Sequence, residues 1–177
     1  EAFEQVNQLV DAHNGNVIFD SCCGVGESTI NLAKKYPDAL VIGVDKSAYR
    51  IAKNQCFEQQ ENAIVVQADL NDFYRLAVKQ EWPVSKQYIL YPNPWPKSKH
   101  MQRRWHGSAV FPFITKLCSN IEMRSNWRLY LEEFQHALSL CGISASINEL
   151  NNGEPLTPFE RKYQASGQQC WQLTTNN

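Results

Sequence analysis

The sequence contains no long hydrophobic run, no excess of charge of one sign and no cysteine pair in a C-x-x-C spacing. Apolar stretches such as residues 63–66 are far shorter than the roughly 20 residues that a membrane-spanning helix needs, so we predict no membrane contact. With 17 basic and 18 acidic side chains, the formal net charge is −1, which excludes a surface coated with positive charge. Any contact with nucleic acid must therefore come from local basic clusters.

Six cysteines are present, and their positions in apolar segments favour reduced, buried thiols in a cytoplasmic protein. They are Cys22, Cys23, Cys56, Cys118, Cys141 and Cys170. Because their spacing is not that of a metal site, we predict no bound metal. No secretion or transit pattern is visible in the first residues. A length of 177 residues suits one buried core, so we predict a single domain over residues 1–177, with the oligomeric state left open.

Short apolar runs alternate with amphipathic segments along the chain, which predicts an α/β fold with a largely parallel sheet. Strands are predicted near residues 17–20, 40–45, 64–68, 87–91, 121–125, 143–147 and 170–173. Helices are predicted at residues 28–35, 48–59, 70–79 and 127–140, with Ser47 as the N-cap of the second.

A glycine-bearing turn follows the first predicted strand and opens a helix, which predicts a cofactor site at this strand end. Gly24 and Gly26 would let the backbone approach a ligand closely. Asp45 ends the second strand, where a carboxylate can accept hydrogen bonds from the ribose hydroxyls of an adenosine. Asp69 ends the third strand, where it can take the adenine amino group. The other residues predicted to line this site are Asp20, Cys22, Lys46, Leu70 and Asn93.

Two cofactors that contain adenosine are compatible with this pattern. A nicotinamide dinucleotide would lay its pyrophosphate on the helix N-terminus, where Glu27 would repel it and Thr29 replaces a third glycine. S-adenosylmethionine has no phosphate and carries an ammonium and a sulfonium, so acidic residues favour it. Glu27 is also favourable in a first helical turn through the helix dipole alone.

Three prolines, a tryptophan and a cluster of cations follow the fourth predicted strand. Proline fixes φ, so this loop is stiff enough to hold Asn93 and Trp95 at the sheet edge. Trp95 is a candidate for stacking on a flipped base, with loop packing as the alternative. The residues predicted to contact RNA here are Lys97, Lys99, His100, Arg103 and Arg104. With Arg161 and Lys162, the lysines and arginines are expected to converge on one face.

Over nearly its whole length, the chain resembles the tRNA (guanine-N7)-methyltransferase family in its bacterial single-domain form. The similarity lies in the glycine turn with its acidic strand ends, in Pro-Asn-Pro-Trp-Pro-Lys at 92–97, in Ser-Asn-Trp at 125–127 and in Leu-Thr-Pro-Phe-Glu-Arg at 156–161. It implies a Rossmann-like class I methyltransferase fold with a seven-stranded, mostly parallel sheet, helices on both faces and an antiparallel C-terminal strand. It further implies S-adenosylmethionine as cofactor, tRNA or another RNA as partner, and substrate contacts from Thr157, Glu160 and Arg161.

The chain departs from this family at positions that matter for catalysis. Cys22 replaces the first glycine, residues 117–120 replace a Lys-Pro-Gly-Gly turn, and Asn93 and Asn126 replace two aspartates. Guanine N7 has its own lone pair, so methyl transfer needs alignment rather than a base. The two asparagines, predicted to be the catalytic pair, can still accept hydrogen bonds, with a loss of about 1–2 kcal/mol per contact.

Two other functions stay open at this point. Asn93-Pro94-Trp95 is partly similar to the Asn-Pro-Pro-aromatic motif of methyltransferases that modify exocyclic amino groups. The paired asparagines would also suit a non-catalytic relative that binds cofactor or RNA without turnover.

Overall fold

The computed structural model describes residues 1–151 and 153–176. Within these residues the α-helices are α1 (Ala2–His13), α2 (Glu27–Lys35), α3 (Ala48–Ile51), α4 (Leu70–Lys79), α5 (Phe111–Leu117), α6 (Arg128–Leu140) and α7 (Pro158–Ala165). The strands are β1 (Val17–Ser21), β2 (Leu40–Asp45), β3 (Ala63–Gln67), β4 (Val84–Leu90), β5 (Ile121–Ser125), β6 (Ala145–Glu149) and β7 (Trp171–Thr175). Segments of 3₁₀ helix cover Ala52–Cys56, Ser98–Arg103 and Trp105–Gly107.

All the described strands form one sheet in the order β3-β2-β1-β4-β5-β7-β6. Neighbours from β3 through β5 are parallel, whereas β7 is antiparallel to both β5 and β6. The predicted fold is confirmed, including the antiparallel C-terminal strand. The strand order reverses between β1 and β4, which is the point where open α/β sheets bind ligands at the carboxyl ends of their strands.

The apolar core lies on both faces of this sheet. Successive residues of β1 point to opposite faces, so Phe19 packs with Phe73 of α4 while Ile18 packs with Leu32 of α2. Every residue of β1 is buried. The central strand is therefore held from both sides, and the turn after it has a fixed base.

Several predicted elements differ from the observed ones. The helix predicted at 48–59 is α3, which ends at Ile51 and continues as a 3₁₀ segment to Cys56. Its Ser47 cap is confirmed, because Ser47 Oγ accepts a hydrogen bond from the Arg50 amide at 3.3 Å. The Asn54 amide group donates to the Val25 carbonyl at 3.2 Å, and this contact holds the chain against the glycine turn instead of in a longer helix. The predicted elements also lacked α1, α5 and α7.

All six cysteines are free thiols, but the prediction that they are buried was wrong for two of them, and two others, Cys22 and Cys118, are half-buried. Cys23 and Cys170 are buried, whereas Cys56 and Cys141 are exposed. In residues 1–151 and 153–176, no helix has both the length and the hydropathy of a membrane span. The same residues contain no cluster of three or more side chains suited to holding a metal.

Candidate active site at the carboxyl edge of the sheet

The turn after β1 is built from left-handed backbone conformations. Cys22, Gly24 and Gly26 have φ values of 58°, 62° and 80°. A Cβ at Gly26 would collide with the Asn54 side chain, so glycine is required there, while a Cβ at Gly24 would have no heavy atom within 4 Å. The open space beside Gly24 is where a ligand can approach the backbone. Cys22 adopts the same left-handed conformation although it has a Cβ atom. This conformation lowers the stability of the fold by on the order of 1–2 kcal/mol.

Asp20 lies at the base of this turn and is fully buried. Its Oδ2 accepts hydrogen bonds from the hydroxyls of Ser28 at 2.6 Å and Thr29 at 2.7 Å. Its Oδ1 has no partner among the described residues. Burial raises the pKa of Asp20 to about 6, against the lowering effect of the two hydroxyls. A buried carboxylate with one free oxygen can accept a hydrogen bond from a cationic ligand group.

Asp45 ends β2 beside the turn, as predicted, and is also buried. Its oxygens accept hydrogen bonds from the amides of Gly24 at 3.1 Å and Ser47 at 2.8 Å. The Arg50 guanidinium forms an ion pair with Asp45 at 3.1 Å, and this arginine was not among the predicted site residues. Arg50 is partly exposed and reaches in from α3, so a ribose diol that binds Asp45 would displace Arg50.

The remaining predicted cofactor residues lie along the same edge. Asp69 is exposed and caps α4, where Oδ1 accepts from the Asn71 amide at 2.7 Å. Leu70 is buried in the core and Lys46 is exposed to solvent. Asp45 and Asp69 follow neighbouring parallel strands, so the predicted alignment of acidic strand ends is present.

The loop after β4 is held by an internal anchor. The Arg104 side chain is buried and donates two hydrogen bonds to Glu133, at 2.5 and 2.7 Å. It also donates to the Trp95 carbonyl from two nitrogens, at 3.1 and 3.2 Å. Arg104 was predicted to bind substrate, but its guanidinium contacts protein atoms and its ring-face partner is Trp127 at 5.0 Å. The reason lies in Glu133, which supplies a counter-charge from α6 that the local sequence does not reveal.

Trp95 stands at the centre of this loop. Its backbone has φ of 45°, and its amide donates to the Asn93 side-chain oxygen at 3.2 Å. The Arg103 guanidinium lies over the indole ring at 4.8 Å, and His100 meets the ring edge-on at 5.5 Å. Lys97, Lys99 and Arg103 are exposed, so this loop does present a basic surface.

The two asparagines follow neighbouring strands at the same edge. The Tyr91 amide, just after β4, donates to the Arg124 carbonyl of β5 at 2.8 Å, which brings the two strand ends together. Asn93 is exposed and its oxygen caps the Trp95 amide. Asn126 is half-buried and donates to Gln168 at 3.1 Å. Each asparagine therefore already has one partner within the chain.

The C-terminal helix α7 closes the other side of the site. Thr157 caps it by accepting from the Glu160 amide at 3.0 Å. Glu160 is buried and pairs with Arg124 at 2.9 Å, while burial raises the pKa of the Glu160 carboxyl despite this partner. Both residues were predicted to bind substrate, but in this structure they fix α7 to the sheet.

Arg161 of α7 reaches across to the cofactor turn and pairs with Glu27. This contact neutralises Glu27, which weakens the argument that Glu27 would repel a dinucleotide. Tyr163 of the same helix packs against Tyr91 with ring centroids 5.6 Å apart. The single basic face predicted for the arginines and lysines is therefore smaller than expected, since Arg104 is internal and Arg161 is paired.

Comparisons with known proteins agree with this geometry. A family model described as "Putative methyltransferase" matches residues 14–173. A tRNA (guanine-N(7)-)-methyltransferase of Pediococcus pentosaceus is 28% identical over 166 residues, covering 85% of this chain and 76% of that protein. The enzyme of the same name from Mycoplasma genitalium is 26% identical over 171 residues, covering 83% and 77%.

Solved structures support the fold. The 16S rRNA (adenine(1408)-N(1))-methyltransferase of Catenulisporales acidiphilia superposes with a TM-score of 0.66 at 12% identity, covering 98% of this chain and 89% of that one. The 16S rRNA methyltransferase KamB superposes with a TM-score of 0.66 at 15% identity, covering 97% and 93%. These likenesses establish a Rossmann-like methyltransferase fold.

Proposed function

The chain belongs to the methyltransferase family whose model spans residues 14–173, and we propose that it transfers a methyl group from S-adenosylmethionine to N7 of a guanine in tRNA. The observation that carries this proposal is the extent of the similarity to curated relatives. Proteins named tRNA (guanine-N(7)-)-methyltransferase align with 83–97% of the chain. The region matched by the family model includes the glycine turn, the loop after β4 and α7.

The residues of the cofactor turn fit S-adenosylmethionine. The free oxygen of buried Asp20 suits a hydrogen bond from its ammonium group, and the open space at Gly24 admits a ligand beside the backbone. Asp45 would bind the ribose hydroxyls after Arg50 moves aside, and Asp69 would lie near the adenine. We propose these residues, with Cys22, Gly26, Lys46, Leu70 and Asn93, as the cofactor site.

When bound, S-adenosylmethionine would supply an activated methyl group on a sulfonium. The task of the protein is to orient the guanine, because N7 needs no deprotonation before it attacks. Asn93 follows β4, which pairs with β1, and Asn126 follows β5, which pairs with β4, so at this edge of the sheet their amide groups would hold the polar edge of the base. They would do so without the charge of a carboxylate, which predicts slow turnover.

RNA binding would come from the exposed cations of the loop after β4 and of α7. Lys97, Lys99, Arg103 and Lys162 are exposed and contribute positive charge for backbone phosphates. His100, Arg161, Thr157 and Glu160 stay in the proposed substrate site as residues that position the loop and α7. A single domain and a location in the cytoplasm remain predictions.

The test is transfer of labelled methyl from S-adenosylmethionine to unmodified tRNA, followed by digestion and nucleoside analysis. The proposal expects labelled 7-methylguanosine. Label on an exocyclic amino group would support the second enzyme class, and its exclusive appearance would refute ours. Absence of any transfer, combined with calorimetric binding of S-adenosylhomocysteine, would favour a non-catalytic protein.

A further inference from the structure

The backbone of Trp95 is held by hydrogen bonds at both its amide and its carbonyl. Its carbonyl accepts two hydrogen bonds from Arg104, and its amide is capped by Asn93. Arg104 is in turn paired with Glu133 on α6. A non-glycine residue at φ of 45° is costly, and such strain persists only where surrounding contacts enforce it. The backbone that carries the indole is therefore held in one position in the loop after β4.

The face of this indole already binds a cation. The Arg103 guanidinium carbon lies 4.8 Å from the ring centroid, within the range of a cation–π contact. Arg103 itself is exposed and lies in a 3₁₀ segment, so its side chain can leave the ring. The contact shows that this face accepts a flat, delocalised positive charge.

Methyl transfer to N7 creates a charge of that kind. The N7 lone pair forms the new bond to the methyl carbon, the carbon–sulfur bond breaks with its electrons going to sulfur, and the positive charge passes from sulfonium to purine. Asn93 and Asn126, the polar side chains that follow β4 and β5 at this edge, carry no negative charge. The developing purine cation needs another source of stabilisation.

We propose that the Trp95 indole is a catalytic residue that stabilises the methylated purine by a cation–π interaction, with the guanine taking the place of Arg103. This inference rests on the proposed function. Stacking of neutral guanine is present before reaction, so only the charge-dependent part accelerates the chemical step. A cation–π contact of about 0.5–2 kcal/mol corresponds to a roughly 2- to 30-fold change in affinity or rate. We expect the protein to bind the cationic base about tenfold more tightly than the neutral one.

The first test measures binding of 7-methylguanosine and guanosine by NMR titration at mildly acidic pH, where the methylated base is a cation. Nucleosides avoid the phosphate that loop lysines would attract. The wild type should prefer 7-methylguanosine about tenfold, Trp95→Phe should keep part of this preference, and Trp95→Leu should lose it. Tryptophan gives the strongest cation–π contact of the three side chains, which sets this order.

Arginine variants give the matched control. Arg103→Gln removes the competing cation and should tighten binding of 7-methylguanosine. Arg75→Gln removes an exposed arginine that lies 5.5 Å over the Phe113 ring, where neither residue belongs to the proposed site, and should leave that binding unchanged. The proposal is overturned if Trp95→Leu retains the preference, if Arg103→Gln weakens binding as Trp95→Leu does, or if the wild type binds neither nucleoside.

Single-turnover methylation of tRNA separates this inference from the proposed function. We expect Trp95→Leu to slow the chemical step about tenfold at saturating tRNA. If the wild type makes 7-methylguanosine and Trp95→Leu makes it equally fast, the role of Trp95 is refuted while the activity stands. If the wild type makes none, the proposed function fails whatever the nucleoside titrations show.

Discussion

Replacing Asp20 with asparagine should change how the stability of the protein depends on pH and should weaken cofactor binding. Burial raises the pKa of Asp20 from 3.8 to about 6. The folded state therefore holds its proton more tightly than the unfolded chain does. The stability that this provides is fully present below about pH 4 and is lost as the pH rises through about 6.

The size of the effect follows from the same shift. A difference of about two pKa units corresponds to roughly 3 kcal/mol, which is the cost of keeping Asp20 ionised at pH 7. Asp20→Asn removes this cost and keeps an oxygen for Ser28 and Thr29. Relative to the wild type, the variant should gain about 3 kcal/mol of stability between pH 4 and pH 7, on top of a pH-independent cost of placing its NH2 group where Oδ1 has no partner.

Urea unfolding of both proteins between about pH 4 and pH 8 measures this difference. Calorimetry with S-adenosylhomocysteine, which retains the ammonium, should show weaker binding to Asp20→Asn. If the difference in unfolding free energy between the two proteins does not change with pH, the raised pKa of buried Asp20 is refuted as its cause. Unchanged affinity would refute the role of the free Asp20 oxygen in cofactor binding.

Four other changes test the loop after β4, the cofactor turn and the pair of asparagines. Arg104→Lys should lower stability by about 1–3 kcal/mol in urea unfolding, because lysine keeps the charge beside Glu133 but lacks the planar fork that also donates to the Trp95 carbonyl. Arg104→Lys should not change the salt dependence of tRNA binding. Lys97→Ala should make the plot of log binding constant against log salt concentration less steep, by about the value of one phosphate contact. Cys22→Gly should be more stable than Cys22→Ala by about 1 kcal/mol in the same assay, because only glycine relieves φ of 58°. Asn93→Asp with Asn126→Asp should raise tRNA methylation about tenfold in a steady-state assay, by restoring charge-assisted hydrogen bonds. A reduced rate would indicate a site adapted to another base.

The sequence was most informative where local pattern and strand order decide the structure. Alternation of apolar runs predicted the sheet, and β2 and β5 have the predicted bounds. Strand-end carboxylates were predicted at Asp45 and Asp69 because parallel strands finish at one edge. The start of α7 carried a signal that the predicted elements missed, since Thr157 accepts a hydrogen bond from the Glu160 amide.

The side-chain partners could not be predicted in the same way. Arg104 pairs with a carboxylate 29 residues away and Arg161 with one 134 residues away, so no local pattern reveals either contact. The early end of α3 has a similar cause, because Asn54 is drawn to the turn after β1 by a tertiary hydrogen bond. The basic residues of the loop after β4 were all predicted to contact RNA because of their charge alone. Their burial in the structure distinguishes Arg104, which anchors the loop, from Lys97 and Lys99, which are exposed.

A modified tRNA identifies the atom that receives the methyl group. A tRNA transcript in which guanine is replaced by 7-deazaguanine keeps the base-pairing edge and has carbon instead of nitrogen at position 7. The wild-type protein should bind both transcripts, transfer labelled methyl to the ordinary transcript and transfer none to the 7-deaza transcript. Equal methylation of the two transcripts would show that N7 is not the acceptor and would contradict the proposed function.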